Sequence, residues 1–363
     1  MHPFHGREGG LRSLNRARIG ILPPNLAQPG LVQKTGYDLC TGVALARELA
    51  TQSNLLGLDP SSPDPLRAFD RLLADPTADL DRRRRAEAIA TGFGLRLGCL
   101  LLALKRGEPE TRAGRPDWHA AQWAFWAGLR HIVIGGGLMS GGIGALALPA
   151  AQAVLDEHAA DLRLRRSPFG AAIALVGLAR CAPTPPRRRW VFDFGQTSIK
   201  RGLVAYDPRG VAALQVLPTL DSVCPPIEGT VYDRDVAAEQ WARMADVVAQ
   251  TVASGSVDSE TPMDLAISLA CYLFDGHPAA SDRGCYGRLA LLAPNLATWM
   301  QSQLESRLGR AVRLQLDHDG TAAARSEDGG SDTLVMTIGT ALGSGFPDSN
   351  GQLLPLAEGF NLA

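Results

Sequence analysis

The chain has 363 residues, enough for two domains with full cores. With 45% apolar and 20% charged residues and a formal net charge of -1, it reads as an ordinary globular protein. No global field draws it onto nucleic acid or membrane. Cysteines at 40, 99, 181, 224, 271 and 285 form no CxxC pair, so they read as reduced packing residues, neither a disulfide framework nor a zinc site. The start, MHPFHGREGG, has no apolar core, and the longest apolar stretches, 97–104 and 169–178, are too short to span a bilayer. A cytoplasmic enzyme is the default expectation.

Residues 1–36 are rich in Gly, Pro and Arg and read as irregular, apart from a short strand at 18–22. A helical pattern begins at Asp38, with TGVALARELATQ as one amphipathic run, and Asp64 and Pro65 open another helix near 65–75. RRRRAEAIATGFGLRLGCLLLALKRG predicts a long helix whose face becomes wholly apolar towards Leu104, so its second half should be buried. The arginines at 82–85 read as solvated first turns of that helix, with a nucleic-acid patch as the alternative. Residues 118–129 read as a helix or loop. HIVIGGGLMSGG follows as a short apolar strand and a glycine turn, with a helix from about 146 to 158. SPFGAAIALVGLAR predicts a buried helix opened by proline, and CAPTPPRRRW a stiff, solvated, basic linker.

VFDFGQTSIKRGLVAYD, residues 191–207, then reads as a buried strand, a tight polar turn and a second strand. Residues 235–253 are helical, MDLAISLACYLFDG is a buried strand and loop, and 296–308 is a helix. AVRLQLDHDG is a strand ending in an acidic turn, with a helix start at 321–327. TLVMTIGTALGSGF is a strand, a Gly/Thr turn and a return strand. Strands and helices alternate, so the class is α/β with mixed sheets.

Three turns carry chemistry. At Asp193-Phe194-Gly195-Gln196-Thr197, a strand-end carboxylate can hold Mg2+ through water, Gly195 admits a phosphate close to backbone, and Thr197 supplies a hydroxyl. The turn from Thr337 through Gly339 and Thr340 to Gly345 offers backbone N–H groups suited to a β- or γ-phosphate. Gly135, Gly136 and Gly137, between a strand and a helix, offer a flat surface to adenine or ribose. Each turn taken alone also reads as a plain structural turn. The acidic strand end at Asp319 joins the set.

Together these motifs resemble the ROK family of sugar kinases and repressors, in the actin-like ATPase superfamily. DFGQTSIKRGLV resembles the family's D-x-G-G-T-K, HDGTAAARSE its N-D-A-N-A-A-A, TIGTALGSG its T-x-G-T-G-I-G-G-G, and IVIGGGLMSGG its adenosine motif. The likeness runs from about Gly36 to Glu358, but in a different order. Here the long helices, the adenosine motif and the last helix come first, and the family's usual start falls at Trp190. The resemblance therefore implies a circularly permuted, two-lobed actin-like ATPase (ribonuclease H-like) fold. Residues 1–180 would form the helix-rich, adenosine-side part of the larger lobe, 181–189 the linker, 190–328 the smaller lobe, and 329–363 the strands completing the larger lobe. Natural chain ends often lie close together, which makes such a rearrangement physically reasonable.

The resemblance implies ATP-dependent phosphoryl transfer to a hydroxyl of a sugar-like acceptor, with a catalytically silent sugar- or nucleotide-binding regulator as the alternative. Asp319 would be the general base, with a helix N-cap as the bland reading. Asp193 would organise Mg2+. Gly195, Gln196, Thr197, Thr337, Gly339 and Thr340 would hold the phosphates of ATP, and Gly135, Gly136 and Gly137 would flank its adenosine. Asn295, His318 and Glu358 would meet the acceptor, although Asn295 reads equally as a turn residue. Gln196 stands for a glycine, Ser198 for the usual lysine and His318 for an asparagine, and the family's zinc site has no counterpart, so no zinc is expected. His2 and His5 are candidates to return an imidazole to the acceptor site. Neither nucleic acid nor membrane is an expected partner, and a homodimer is left open.

Overall fold

The computed structural model describes residues 3–4, 13–27, 30–182, 186–224, 232–255, 262–274, 276–279, 285–347 and 353–363. Short-range side-chain caps start its first four α-helices. Thr35 and Asp38 form a reciprocal capping box on α1 (Gly36–Cys40), and the Thr41 hydroxyl accepts the Ala44 N–H to open α2 (Gly42–Leu56). Asp64 caps α3 (Pro65–Ala74), and Asp79 caps α4 (Leu80–Arg106), which ends at the left-handed Gly107. The chain continues through α5 (Pro109–Ala113), α6 (Ala120–Gly128), β1 (His131–Gly135), α7 (Gly142–Glu157), β2 (Arg163–Arg166) and α8 (Ile173–Arg180). The second half holds β3 (Arg188–Phe194), β4 (Ser198–Asp207), β5 (Gly210–Val216), β6 (Leu220–Asp221), α9 (Arg234–Ser254), β7 (Met263–Leu269), β8 (Leu273–Phe274) and β9 (His277–Pro278). It closes with α10 (Leu296–Leu308), β10 (Val312–His318), α11 (Asp319–Ala324), β11 (Thr333–Ile338), β12 (Leu342–Gly345) and β13 (Leu356–Leu362). The protein is α/β with mixed sheets, as the alternating pattern predicts.

The chain divides into two units. The first consists chiefly of Leu11–Ala171 and Gly329–Pro347. Among the described residues its sheet runs β12-β11-β1-β2, with β11, β1 and β2 parallel and β12 antiparallel. Its core is the buried half of α4 (Leu97, Leu100 to Leu104) with the apolar faces of α2, α7, β1 and β11. Helix α4 is long and apolar enough to cross a membrane by length and composition, yet two-thirds of that window is buried inside the unit, as a core helix requires. Arg82, Arg84 and Arg85 are exposed at its start. The expected strand at 18–22 reduces to a single bridge between Arg18 and Thr35.

The second unit consists chiefly of Ala172–Asp328 and Asp348–Ala363. Its sheet runs β10-β7-β3-β4-β5-β13. Strands β3, β4 and β5 form an antiparallel meander, while β7 and β10 run parallel to β3 on its other side. The boundaries differ from the sequence expectation at two places. Helix α8 belongs to this unit because its surface meets the unit's own elements: Tyr206 on β4 donates to the Ala179 carbonyl at 2.7 Å, and Gly177 lies directly against the Ala322 carbonyl of α11. Strand β13 also belongs here, pairing in parallel with the open edge of β5.

Two further expectations are corrected. The linker is not wholly solvated. Arg189 already lies in β3, is 1% exposed, and pairs with the equally buried Asp264 of β7 while donating to the Leu178 carbonyl at 3.0 Å. A buried guanidinium needs such partners. Nor are all cysteines reduced: Cys224 and Cys285 form a disulfide across a sequence separation of 61, which no spacing rule reveals.

Candidate functional site

In the first unit, parallel pairing sets Gly135 of β1 beside Thr337 of β11, so the two glycine turns that follow these strands are neighbours. Gly136 has φ +97°, and a Cβ there would lie 2.7 Å from the Ile338 carbonyl oxygen, so only glycine fits. Its N–H donates to the Gly170 carbonyl at 3.2 Å, and its own carbonyl accepts from the Ser140 hydroxyl at 2.9 Å. On the other turn, the Gly339 carbonyl accepts the Gly42 N–H of α2 at 2.6 Å, and the Gly339 N–H closes onto the Ala341 carbonyl. Helix α7 starts four residues earlier than its apolar pattern suggests, because Asp70 of α3 accepts the Ile143 N–H at 2.9 Å and caps it from outside. Gly135, Gly136, Gly137, Thr337, Gly339 and Thr340 are thus gathered at the C-terminal ends of the two inner strands of one sheet, held largely by backbone.

In the second unit the chemistry is carried by side chains. Asp193 on β3 is 5% exposed. Its Oδ1 accepts from the Ser268 hydroxyl of β7 and its Oδ2 from Lys200 Nζ of β4, both at 2.9 Å. The Asp193 carboxylate holds the Lys200 ammonium above the usual lysine range; burial opposes this, and Asp319 adds to it. Register sets Asp193, Ser268 and Asp317 level across β3, β7 and β10, and Asp319 follows directly at the end of β10. Asp193 and Asp319 therefore share one end of the sheet, on strands about 10 Å apart at ~4.8 Å per strand.

Asp319 Oδ1 accepts its neighbour's Gly320 N–H at 2.6 Å, and His318 Nε2 lies 3.0 Å from the same oxygen. It is His318, not Asp319, that caps α11: its Nδ1 accepts the Thr321 N–H at 3.2 Å, which lets the helix begin at Asp319. The N-cap reading of Asp319 thereby falls to its neighbour.

The Gly195 turn is closed by its N–H onto the Ser198 carbonyl at 3.0 Å, and a Cβ on Gly195 would lie 2.9 Å from that oxygen. The Gly195 carbonyl accepts two hydroxyls, from Ser222 at 2.9 Å and Tyr286 at 3.1 Å. Burial pushes the Tyr286 phenol up, so it stays a donor. Ser222 also accepts the Cys224 N–H, and Cys285 precedes Tyr286, so the disulfide ties together the two segments that grip this turn. Gln196 is half-buried at the turn, and Thr197 is exposed.

The expected acceptor residues fare differently. Asn295 caps α10, its side-chain oxygen accepting the Thr298 N–H at 2.9 Å, which is the turn-residue reading. Glu358 is exposed on β13, three strands from β3 and thus about 14 Å across the sheet, so it is not gathered with Asp193 and Asp319. A free strand edge recruited its segment. His2 and His5 lie outside the described residues. Sequence reasoning missed Lys200, Ser268 and Tyr286. Lys200 had a signal: it stands two residues after Ser198 on the same strand, hence on the same face.

Asp193 offers carboxylate lone pairs to magnesium, and each of its oxygens already accepts one donor. Among the described residues no group of three or more His, Cys, Asp or Glu side chains could hold a metal ion. Among the described residues, Asp193 would meet a Mg2+ ion as an outer partner, with phosphates and water as the ion's main ligands. No protein-family profile matches this sequence, and no curated protein matches it.

Proposed function

We propose that this protein transfers a phosphoryl group from ATP to a hydroxyl of a sugar or sugar-like small molecule, on a circularly permuted actin-like ATPase fold of the ROK type. The reading rests on one observation: the Asp193–Lys200–Ser268 cluster and the Asp319 carboxylate occupy the same end of the second unit's sheet. The sheet order supports it, because an antiparallel meander flanked by two parallel strands is the ribonuclease H-like arrangement the motifs imply. The position of α8 supports the permutation. Helix α8 and strand β3 lie side by side, with Arg189 donating to the Leu178 carbonyl, so the two family ends that the permutation would join are close together.

In this reading Asp319 takes the proton of the attacking hydroxyl, a contribution of roughly 10²–10⁴-fold. The larger share comes from positioning and charge neutralisation around the transferred phosphoryl group. Lys200 supplies a fixed positive charge beside Asp193. In the second unit the Gly195–Gln196–Thr197 turn would hold phosphate; in the first, the Thr337, Gly339 and Thr340 turn would hold phosphate and Gly135, Gly136 and Gly137 would flank adenosine. Magnesium, when bound with the nucleotide, supplies further charge neutralisation, and Asp193 would orient it through water. Glu358 has no part in this site.

The test is ADP release from Mg-ATP across hexoses, amino sugars and polyols, with nucleotide binding measured in parallel by calorimetry. Acceptor-dependent ADP release supports the proposal. Nucleotide binding with no turnover on any acceptor supports a silent nucleotide-binding regulator, and no nucleotide binding at all overturns phosphotransfer and leaves only a silent sugar sensor.

A further inference from the structure

The geometry points to His318 as a positioning residue for the Asp319 carboxylate, with no ring atom left for a substrate. Only its kinetic consequence rests on the phosphotransfer reading above; the pairing itself does not.

The argument starts from a backbone donor. Nδ1 meets the Thr321 N–H at 3.2 Å and the Thr321 hydroxyl at 3.3 Å; the hydroxyl can play either part, but an amide N–H can only donate. Nδ1 must therefore be the bare, accepting nitrogen of the ring. A neutral imidazole has one N–H, so the proton sits on Nε2. Nε2 is the atom 3.0 Å from Asp319 Oδ1. One ring face stacks on Tyr272, centroids 4.6 Å apart and planes 29° apart, which fixes the ring's rotation. The side chain is 5% exposed. Both nitrogens are thus committed, one to the helix start and one to the carboxylate.

For Asp319 the consequence is asymmetric. Oδ1 faces two donors, the Gly320 N–H and the His318 Nε2–H. A proton taken from a hydroxyl then goes to Oδ2, the oxygen on the 29% exposed side chain that these two donors leave to the substrate. His318 fixes which oxygen is the base and where it points. A carboxylate held in one rotamer keeps the near-attack geometry that a freely turning one loses.

His318→Asn separates the two jobs of the ring. An asparagine side chain caps a helix well, so the Thr321 N–H keeps an acceptor. Its amide nitrogen takes the place of the ring's Cδ2, one bond short of Nε2, so the donor that stands 3.0 Å from Asp319 Oδ1 is lost. The expected result is an unfolding midpoint close to wild type, an acceptor KM within twofold, and a kcat lower by about tenfold. A raised acceptor KM with unchanged kcat would make His318 a substrate ligand and overturn the assignment.

A readout independent of turnover keeps the two ideas apart. In ¹⁵N-histidine-labelled protein, the His318 signals, identified by their loss in His318→Asn, should show the Nε2-protonated neutral tautomer. Asp319→Asn should shift the Nε2 resonance. An Nδ1-protonated ring, or an Nε2 signal indifferent to Asp319→Asn, overturns the pairing whether or not any acceptor is phosphorylated.

Discussion

In the first unit the turns after β1 and β11 are shaped by backbone meeting backbone: Gly136 against the Ile338 carbonyl, and the Gly42 N–H on the Gly339 carbonyl. In the second unit the end of the sheet is shaped by side chains: Lys200 and Ser268 on Asp193, His318 beside Asp319, and two hydroxyls on the Gly195 carbonyl. The difference decides what a substitution does in each. A backbone-made turn responds to volume and dihedral strain, so it reports through folding. A side-chain-made site responds to charge and hydrogen bonding, so isosteric changes can remove chemistry and leave the fold alone.

The largest expected effect follows from the second case. Asp319→Asn keeps the side chain's size and removes its basicity. Turnover should fall by roughly 10²-fold or more. ATP affinity and thermal midpoint should stay near wild type, since the helix cap belongs to His318. Turnover near the wild-type value would sink the assignment of the base.

The disulfide is where the second unit departs from local side-chain control, because Cys224–Cys285 joins the Ser222 and Tyr286 segments that hold Gly195. Alkylation of denatured, unreduced protein should label four thiols, Cys40, Cys99, Cys181 and Cys271, and reduction should raise the count to six. Cys224→Ser should lower stability by about 2–4 kcal/mol, the usual contribution of such a crosslink, and weaken nucleotide binding severalfold. Six labelled thiols before reduction would remove the crosslink.

Gly136→Ala tests the first case. A side chain at φ +97° with a carbonyl oxygen 2.7 Å away should cost about 1–3 kcal/mol in strain and displaced backbone. Nucleotide affinity should drop with stability, while residual turnover per bound nucleotide should hold. Full stability in this variant, read from denaturant midpoints, would mean the turn is looser than its geometry states.

The same contrast explains what could be read in the sequence. The strand–turn–strand at 191–207, the long core helix and the helix at 296–308 were legible because each is a local pattern, an apolar period bounded by a cap or glycine. Asp193 and Asp319 were legible because each ends an apolar strand. Strand β2, RLRR, was not, since it is an edge strand with mostly exposed charges and no alternation to see. Glu358 was misplaced because the partner of its strand is an unpaired edge more than 140 residues earlier in the chain, which motif order does not encode. Arg189 looked solvated in a basic run because Asp264, its partner, lies on another strand.

The smallest expected effect is one of pH, and it belongs to the first unit. Burial pushes the Cys40 thiol up to about 12 from 9.0, with Arg96 opposing and Cys99 adding, and burial pushes the Cys99 thiol up to about 11. These thiols stay neutral in the fold and ionise more readily once unfolded. Their contribution is therefore fully present below pH 9 and is lost as pH rises towards 11 and 12. At pH 10 the loss for Cys40 is about 1.4 kcal/mol, one pKa unit's worth. Cys40 ends α1, two residues before the Gly42 N–H that holds the Gly339 carbonyl, so the loss falls beside the second glycine turn. Cys40→Ala removes the titrating group. Its thermal midpoint, lower at pH 7 for want of a sulfur atom in the core, should fall less steeply between pH 8.5 and 10.5 than that of the wild type. Parallel slopes for the two proteins would mean that Cys40 already meets water in the fold, and that the α1–α2 junction is open where the structure has it closed.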